Sequence, residues 1–286
     1  MNKTVLVNYQ GGYCGSFFCS LVAESLGVDF DLTTDPDLNI YFYNNKKIKT
    51  FYLKCINKII KIRNNVITNK ELSTIEDNDF DESYVYAKNL YNILKDEDDE
   101  VFIENIKNYF ESLIDKREDE YFVSTIHYPY QYRNLDLHDI YPNASILHIV
   151  ADKKRHARYF HLLFHFKTKD HPADKILQTS TLNQNQIYKD FVEIESPQIF
   201  DDKSIPVDMG KLIFERDFAH LSVVEEALSK EVGKSVKLDR MKLNAYADRN
   251  VDIIKKILGA DFESQSEEEQ IKNCYSYVEN IVRAAP

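Results

Sequence analysis

The sequence predicts an α/β fold, a three-layer sandwich in which a central parallel sheet is covered by helices on both faces. Three observations predict it. Short β-branched runs recur at 3–9 (KTVLVNY), 121–126 (YFVSTI) and 145–150 (SILHIV). These runs are apolar along most of their length, as strands buried on both faces are. Helical segments alternate with them, an order that places strands in parallel and helices on the sheet faces.

Each element follows from local pattern. Residues 3–9 read as the first strand, ended by Gly11 and Gly12. Residues 16–26 read as a helix that stops at Gly27, because glycine takes the left-handed conformation that closes helices. Residues 38–43 (LNIYFY) read as a further strand. From about 45 to 120 the composition shifts toward Lys, Asn, Asp and Glu at helical spacing. Within it Phe102, Ile106, Tyr109, Phe110 and Leu113 make one apolar face, with acids at its N-terminal end and Lys116 and Arg117 at the other. This stretch reads as a helical insertion or cap on a single domain spanning 1–286. After the strands at 121–126 and 145–150, a helix is expected at 154–167, polar loop with weak helix at 172–200, and a short strand within 205–214. An amphipathic helix at 218–232, closed by Gly233, and a last helical segment at about 240–258 complete the reading.

Composition narrows the function classes. With 286 residues, 43% of them hydrophobic, the chain can bury one large core. A net charge of −11 sets it, on average, against nucleic acid and anionic membranes, so neither is an expected partner. Cys14, Cys19, Cys55 and Cys274 form no CxxC pair. The first ten residues are too short an apolar run for a membrane span and carry no cleavage pattern, so a cytoplasmic location with reduced thiols is expected. The oligomeric state stays open.

The glycines carry the first chemical signal. Three of the seven lie in Gly11-Gly12-Tyr13-Cys14-Gly15-Ser16-Phe17, between the first strand and the first helix. Glycine lets backbone N–H groups approach an anion, and the helix start adds unsatisfied N–H groups and a positive dipole end. Ser16 can donate a hydroxyl to a phosphate oxygen. This is the physics of a P-loop-like phosphate cradle, although the Lys of GxxxxGK followed by Ser or Thr is missing. A tight strand–helix turn without a ligand uses the same residue types.

Two further segments add to it. His127 follows a strand, at the sheet edge where ligands of open α/β proteins bind, and an imidazole there can act as general base. Lys153, Lys154, Arg155 and Arg158 cluster at a strand–helix junction and suit a phosphate; a solvated helix face would carry the same charges. His161 and His165 have the i, i+4 spacing of a metal pair, but Leu162 stands where HExxH needs Glu, and no metal is expected.

Taken in order, these segments resemble the sulfotransferase family. Gly15 and Ser16 match the family's loop for the 5′-phosphosulfate group, with Tyr13 where the family has a basic residue and Phe17 where it often has a second hydroxyl. His127-Tyr128-Pro129 resembles its K-T-H-x-P stretch, with Thr125 in place of the Lys. IVADKKRHARYFH resembles the segment that binds the 3′-phosphate, with Arg155 and Arg158 as candidates, and MGKLIFERDFAHLSVVEEALSKEVG resembles a later strand and helix. The resemblance implies a sulfotransferase-like fold and the donor 3′-phosphoadenosine 5′-phosphosulfate, bound by Gly11 through Phe17 and by Lys153, Lys154, Arg155 and Arg158. It also implies His127 as base and a small-molecule or carbohydrate acceptor with a hydroxyl or amine. Two alternatives stand beside it. One is a P-loop kinase or nucleotide hydrolase with Asp152 as a magnesium ligand; the other is a nucleotide-fold protein that binds without catalysis.

Overall fold

A computed structural model describes residues 4–9, 13–28, 101, 104, 105, 108, 121–126, 138, 141–166, 188–194 and 203–283. The expected strand at 38–43, Gly11, Gly12, His127 and all but four residues of the 45–120 segment lie outside the described residues.

Among the described residues, four strands form one sheet: β1 (Thr4–Asn8), β2 (Phe122–Ile126), β3 (Ala144–Val150) and β4 (Ile205–Asp208). Every pairing is parallel and the order is β2-β1-β3-β4. Thr4 is in register with Phe122 on one side and Ala144 on the other, and Leu147 with Ile205. All residues of β1 and β3 are buried, which explains why both read as continuous apolar runs. Val5, Leu6 and Val7 are 0% exposed, and each such side chain contributes roughly 1.5–3 kcal/mol by leaving water. The expectation of an α/β fold around a central parallel sheet is met.

The longer helices among the described residues are α1 (Gly15–Ser25), α2 (Lys154–Phe166), α3 (Phe218–Val232), α4 (Arg240–Leu258) and α5 (Glu267–Arg283). Helix α1 packs over β1 and β2, α3 over β4 and β3, and α2 against α4. Asp217 caps α3 by accepting from His220 N–H (3.0 Å), and Gly233 ends it at φ 69°. Asp239 caps α4 by accepting from Met241 and Lys242 N–H (2.9 and 3.0 Å). Helix α5 was not anticipated from the sequence. A capping box starts it: Glu269 accepts from Ser266 N–H (2.7 Å), and Glu269 N–H donates to Ser266 Oγ (3.3 Å). The strand expected within 205–214 stops at Asp208, and a π-helical turn, Lys211–Glu215, follows it. Among the described residues no helix is long and apolar enough to cross a membrane.

The topology singles out one place on the sheet. Among the described strands, the one that follows β1 in the chain, β2, lies on one side of it, and the one that follows β3, β4, lies on the other side. The two central neighbours are therefore left in opposite directions, and ligands of open parallel sheets bind at the carboxyl ends of such a pair. The connection carrying Tyr13 and Cys14 leaves β1 there, and Ala151-Asp152-Lys153 leaves β3 beside it.

Candidate functional site

The β1 side is built around Tyr9. Its ring covers Gly15, where a Cβ would overlap the ring carbons, so glycine is required by the close approach. Its hydroxyl lies 2.6 Å from Ser16 Oγ. Cys14 takes the left-handed conformation (φ 62°) just before α1 and caps it with no side-chain hydrogen bond. A left-handed residue followed by a helical one turns successive N–H groups toward a common point, the geometry of an anion nest. Tyr13 is buried, its ring 5.0 Å from that of Phe160 on α2. Phe17 stacks on Tyr246 of α4 at 3.7 Å and 2°. Of the predicted loop residues, Ser16 and Gly15 thus meet Tyr9, while Tyr13 and Phe17 turn into the core.

The four predicted cations separate into two pairs. Lys153 donates to Glu215, and Arg155 Nη2 lies 3.6 Å from the same carboxylate oxygen. Lys154 Nζ lies 3.9 Å from Glu267 on α5, and Arg158 donates to Glu267 as well. Arg158 is 2% exposed and also donates to the carbonyls of Phe191 (3.0 Å) and Val192 (3.3 Å), so its guanidinium is locked among backbone acceptors. Lys153 and Arg155 keep nearly half of their side-chain surface exposed. They stand beside the switch point and can reach a ligand.

Next to them stand two carboxylates that sequence reasoning did not join, Asp152 two residues past β3 and Asp208 at the end of β4. Lys211 Nζ donates to Asp152 (2.9 Å) and lies 3.6 Å from Asp208, which is 2% exposed. Asp208 accepts from the N–H of Lys211 (3.1 Å), and its own N–H donates to His220 Nε2 (2.9 Å). Burial pushes the Asp208 carboxyl above its ordinary range, against the hydrogen bond from Lys211. Burial acts on Asp152 in the same direction, but the hydrogen bond and charge of Lys211 outweigh it and hold Asp152 below the usual carboxylate range. The bond to Asp152 in turn raises Lys211 and keeps it charged. His156, 1% exposed, packs its imidazole against Gly210, where a Cβ would overlap the ring. Burial pushes His156 down to about 4, although Glu215, 3.4 Å from Nε2, favours its charged form.

Asp208, Lys211, Glu215 and His220 are the polar residues the sequence reading missed. One local signal was available: Asp208 closes the short apolar run 205–207, much as Asp152 follows the run 145–151. His127 lies outside the described residues, so its distance from Ser16 is not part of the site's geometry. Compared with protein-family models, with curated proteins and with solved structures, the chain matches none of them.

Proposed function

We propose that this chain binds a nucleotide carrying two phosphate groups, 3′-phosphoadenosine 5′-phosphosulfate, and transfers its sulfuryl group to a hydroxyl or amine acceptor. One observation carries the reading: the loop–helix junction at Cys14–Ser16 and the cations Lys153 and Arg155 flank the carboxyl ends of β1 and β3, the pair at which the topology switches. The helix start and its N–H groups suit the 5′-phosphosulfate. Lys153 and Arg155 already hold a carboxylate, so the pair is suited to an oxyanion such as the 3′-phosphate.

The donor supplies an activated sulfur–oxygen bond. The acceptor oxygen or nitrogen bonds to sulfur as the sulfur–oxygen bond to the 5′-phosphate breaks, and adenosine 3′,5′-bisphosphate leaves. The acceptor proton passes to His127, the residue that follows β2 in the chain. Positioning and electrostatic stabilisation account for most of such a rate enhancement, as in phosphoryl transfer.

One observation favours the kinase or hydrolase alternative. Asp208 ends β4 and Asp152 lies two residues past the end of the adjacent β3, as metal-binding carboxylates would, but Lys211 bridges them. Thermal unfolding with adenosine 3′,5′-bisphosphate and with ATP–magnesium separates the readings. A ligand at about 100 times its Kd stabilises the native state by roughly 2.7 kcal/mol. Stabilisation by the bisphosphate without magnesium is the expected result. Stabilisation by ATP–magnesium alone would transfer the assignment to the alternative, and no response to either ligand would overturn both.

A further inference from the structure

Glu215 ends the π-helical turn after β4, and one oxygen of its carboxylate is shared by three side chains of α2 and the residue before it. Lys153 donates to it, Arg155 Nη2 lies 3.6 Å away and His156 Nε2 3.4 Å away. The first turn of α2 contains no acidic residue; Glu267 of α5 lies against Lys154 there, and Glu215, brought from 60 residues further along the chain, lies against Lys153 and Arg155. The hydrogen bond from Lys153 holds Glu215 below the usual carboxylate range, and it is charged at neutral pH. The turn that carries it is unusual in two respects. It is π-helical, and it closes at Arg216, a non-glycine residue at φ 55° whose guanidinium is anchored to Asn244 O (3.0 Å) and Asp248 (2.6 Å) on α4.

We propose that Glu215 is a built-in competitor: an internal carboxylate that occupies Lys153 and Arg155 until a phosphate displaces it. The inference rests on the reading that these two cations serve a bound nucleotide. Its consequence is selectivity by charge. A singly charged group gains little by exchanging places with a carboxylate, whereas a phosphate monoester, near two negative charges at neutral pH, gains more from the same two cations. The 3′-phosphate, a monoester, is the group this exchange selects.

Calorimetric titration with adenosine 3′,5′-bisphosphate and with adenosine tests this on the full chain. In Glu215→Gln the bisphosphate should bind roughly tenfold tighter than in the unaltered protein, the scale of one charge-assisted hydrogen bond. Adenosine, lacking phosphate, should bind equally to both. Adding Arg155→Met to Glu215→Gln should remove most of the gain. If Glu215→Gln does not fold by circular dichroism, Glu215→Asp withdraws the carboxylate by one methylene and should also tighten binding. Equal or weaker bisphosphate binding in the folded variant overturns the competitor and leaves the nucleotide reading intact. Absence of bisphosphate binding in both proteins overturns the two together.

Discussion

The phenol hydroxyl of Tyr9, just beyond β1, lies 2.6 Å from the hydroxyl of Ser16 in the first turn of α1. The bond ties the residue after β1 to the first turn of α1, and the ring that carries it covers Gly15. Gly15→Ala should therefore destabilise the protein by about 1–3 kcal/mol, because its Cβ meets ring carbons near the root of a buried side chain that cannot swing clear. Urea unfolding measures it. In a Tyr9→Ala background the added cost of Gly15→Ala should largely vanish. A cost that stays the same would mean that something other than the Tyr9 ring demands glycine.

The pH dependence of stability should carry a signature of His156. Burial lowers its pKa from 6.5 to about 4 in the folded chain. Above pH 6.5 the group is neutral in both states and its contribution is complete. As pH falls from 6.5 toward 4, the unfolded state takes up a proton that the native state refuses, so stability declines. The slope from this one group approaches about 1.4 kcal/mol per pH unit. His156→Leu should lose that part of the slope when unfolding midpoints are compared across the window. The same slope in both proteins would assign it to other groups.

Arg155 and Arg158 are three positions apart on α2 and should answer differently to removal. Arg158→Met strips the donor from two backbone carbonyls and should cost about 2–4 kcal/mol of stability. Arg158→Lys should recover only part of this, since an ammonium lacks the planar fork. Arg155→Met removes a half-exposed ion pair and should cost less than about 1 kcal/mol, while weakening adenosine 3′,5′-bisphosphate binding. Unfolding and titration of the two variants side by side check the contrast. Equal stability losses would show that the two guanidiniums are held alike.

If His127 is the base, its removal should act on chemistry rather than on donor binding. His127→Ala should keep its affinity for adenosine 3′,5′-bisphosphate and lose sulfuryl transfer by about 10²-fold or more. Release of the bisphosphate in the presence of an acceptor gives the rate. Normal turnover in the variant would sink the assignment.

Much of the fold was legible because it is written in local pattern. Continuous apolar runs mark β1 and β3, whose side chains are buried on both faces. The bounds of α4 match the reading of 240–258 because Asp239 before it is a strong start signal and Gly259 after it a strong stop signal. Helix α5 carries an equally local signal in Ser266 and Glu269, but its polar composition hides its apolar face.

By itself, the sequence determined the four described strands, most described helix ends and the position of a glycine-rich connection before a helix, since these depend on residues a few places apart. It also placed four cations at the start of α2, where Lys154 and Arg158, one helical turn apart, share a face. Only the tertiary structure decided that β1 lies between β2 and β3, that Lys153 and Arg155 meet Glu215, and that Lys154 and Arg158 meet Glu267. Those partners lie at least 60 residues away along the chain. A single carboxylate leaves no periodic trace in the sequence, and which cation it faces is set by how the buried faces of β4, α4 and α5 pack.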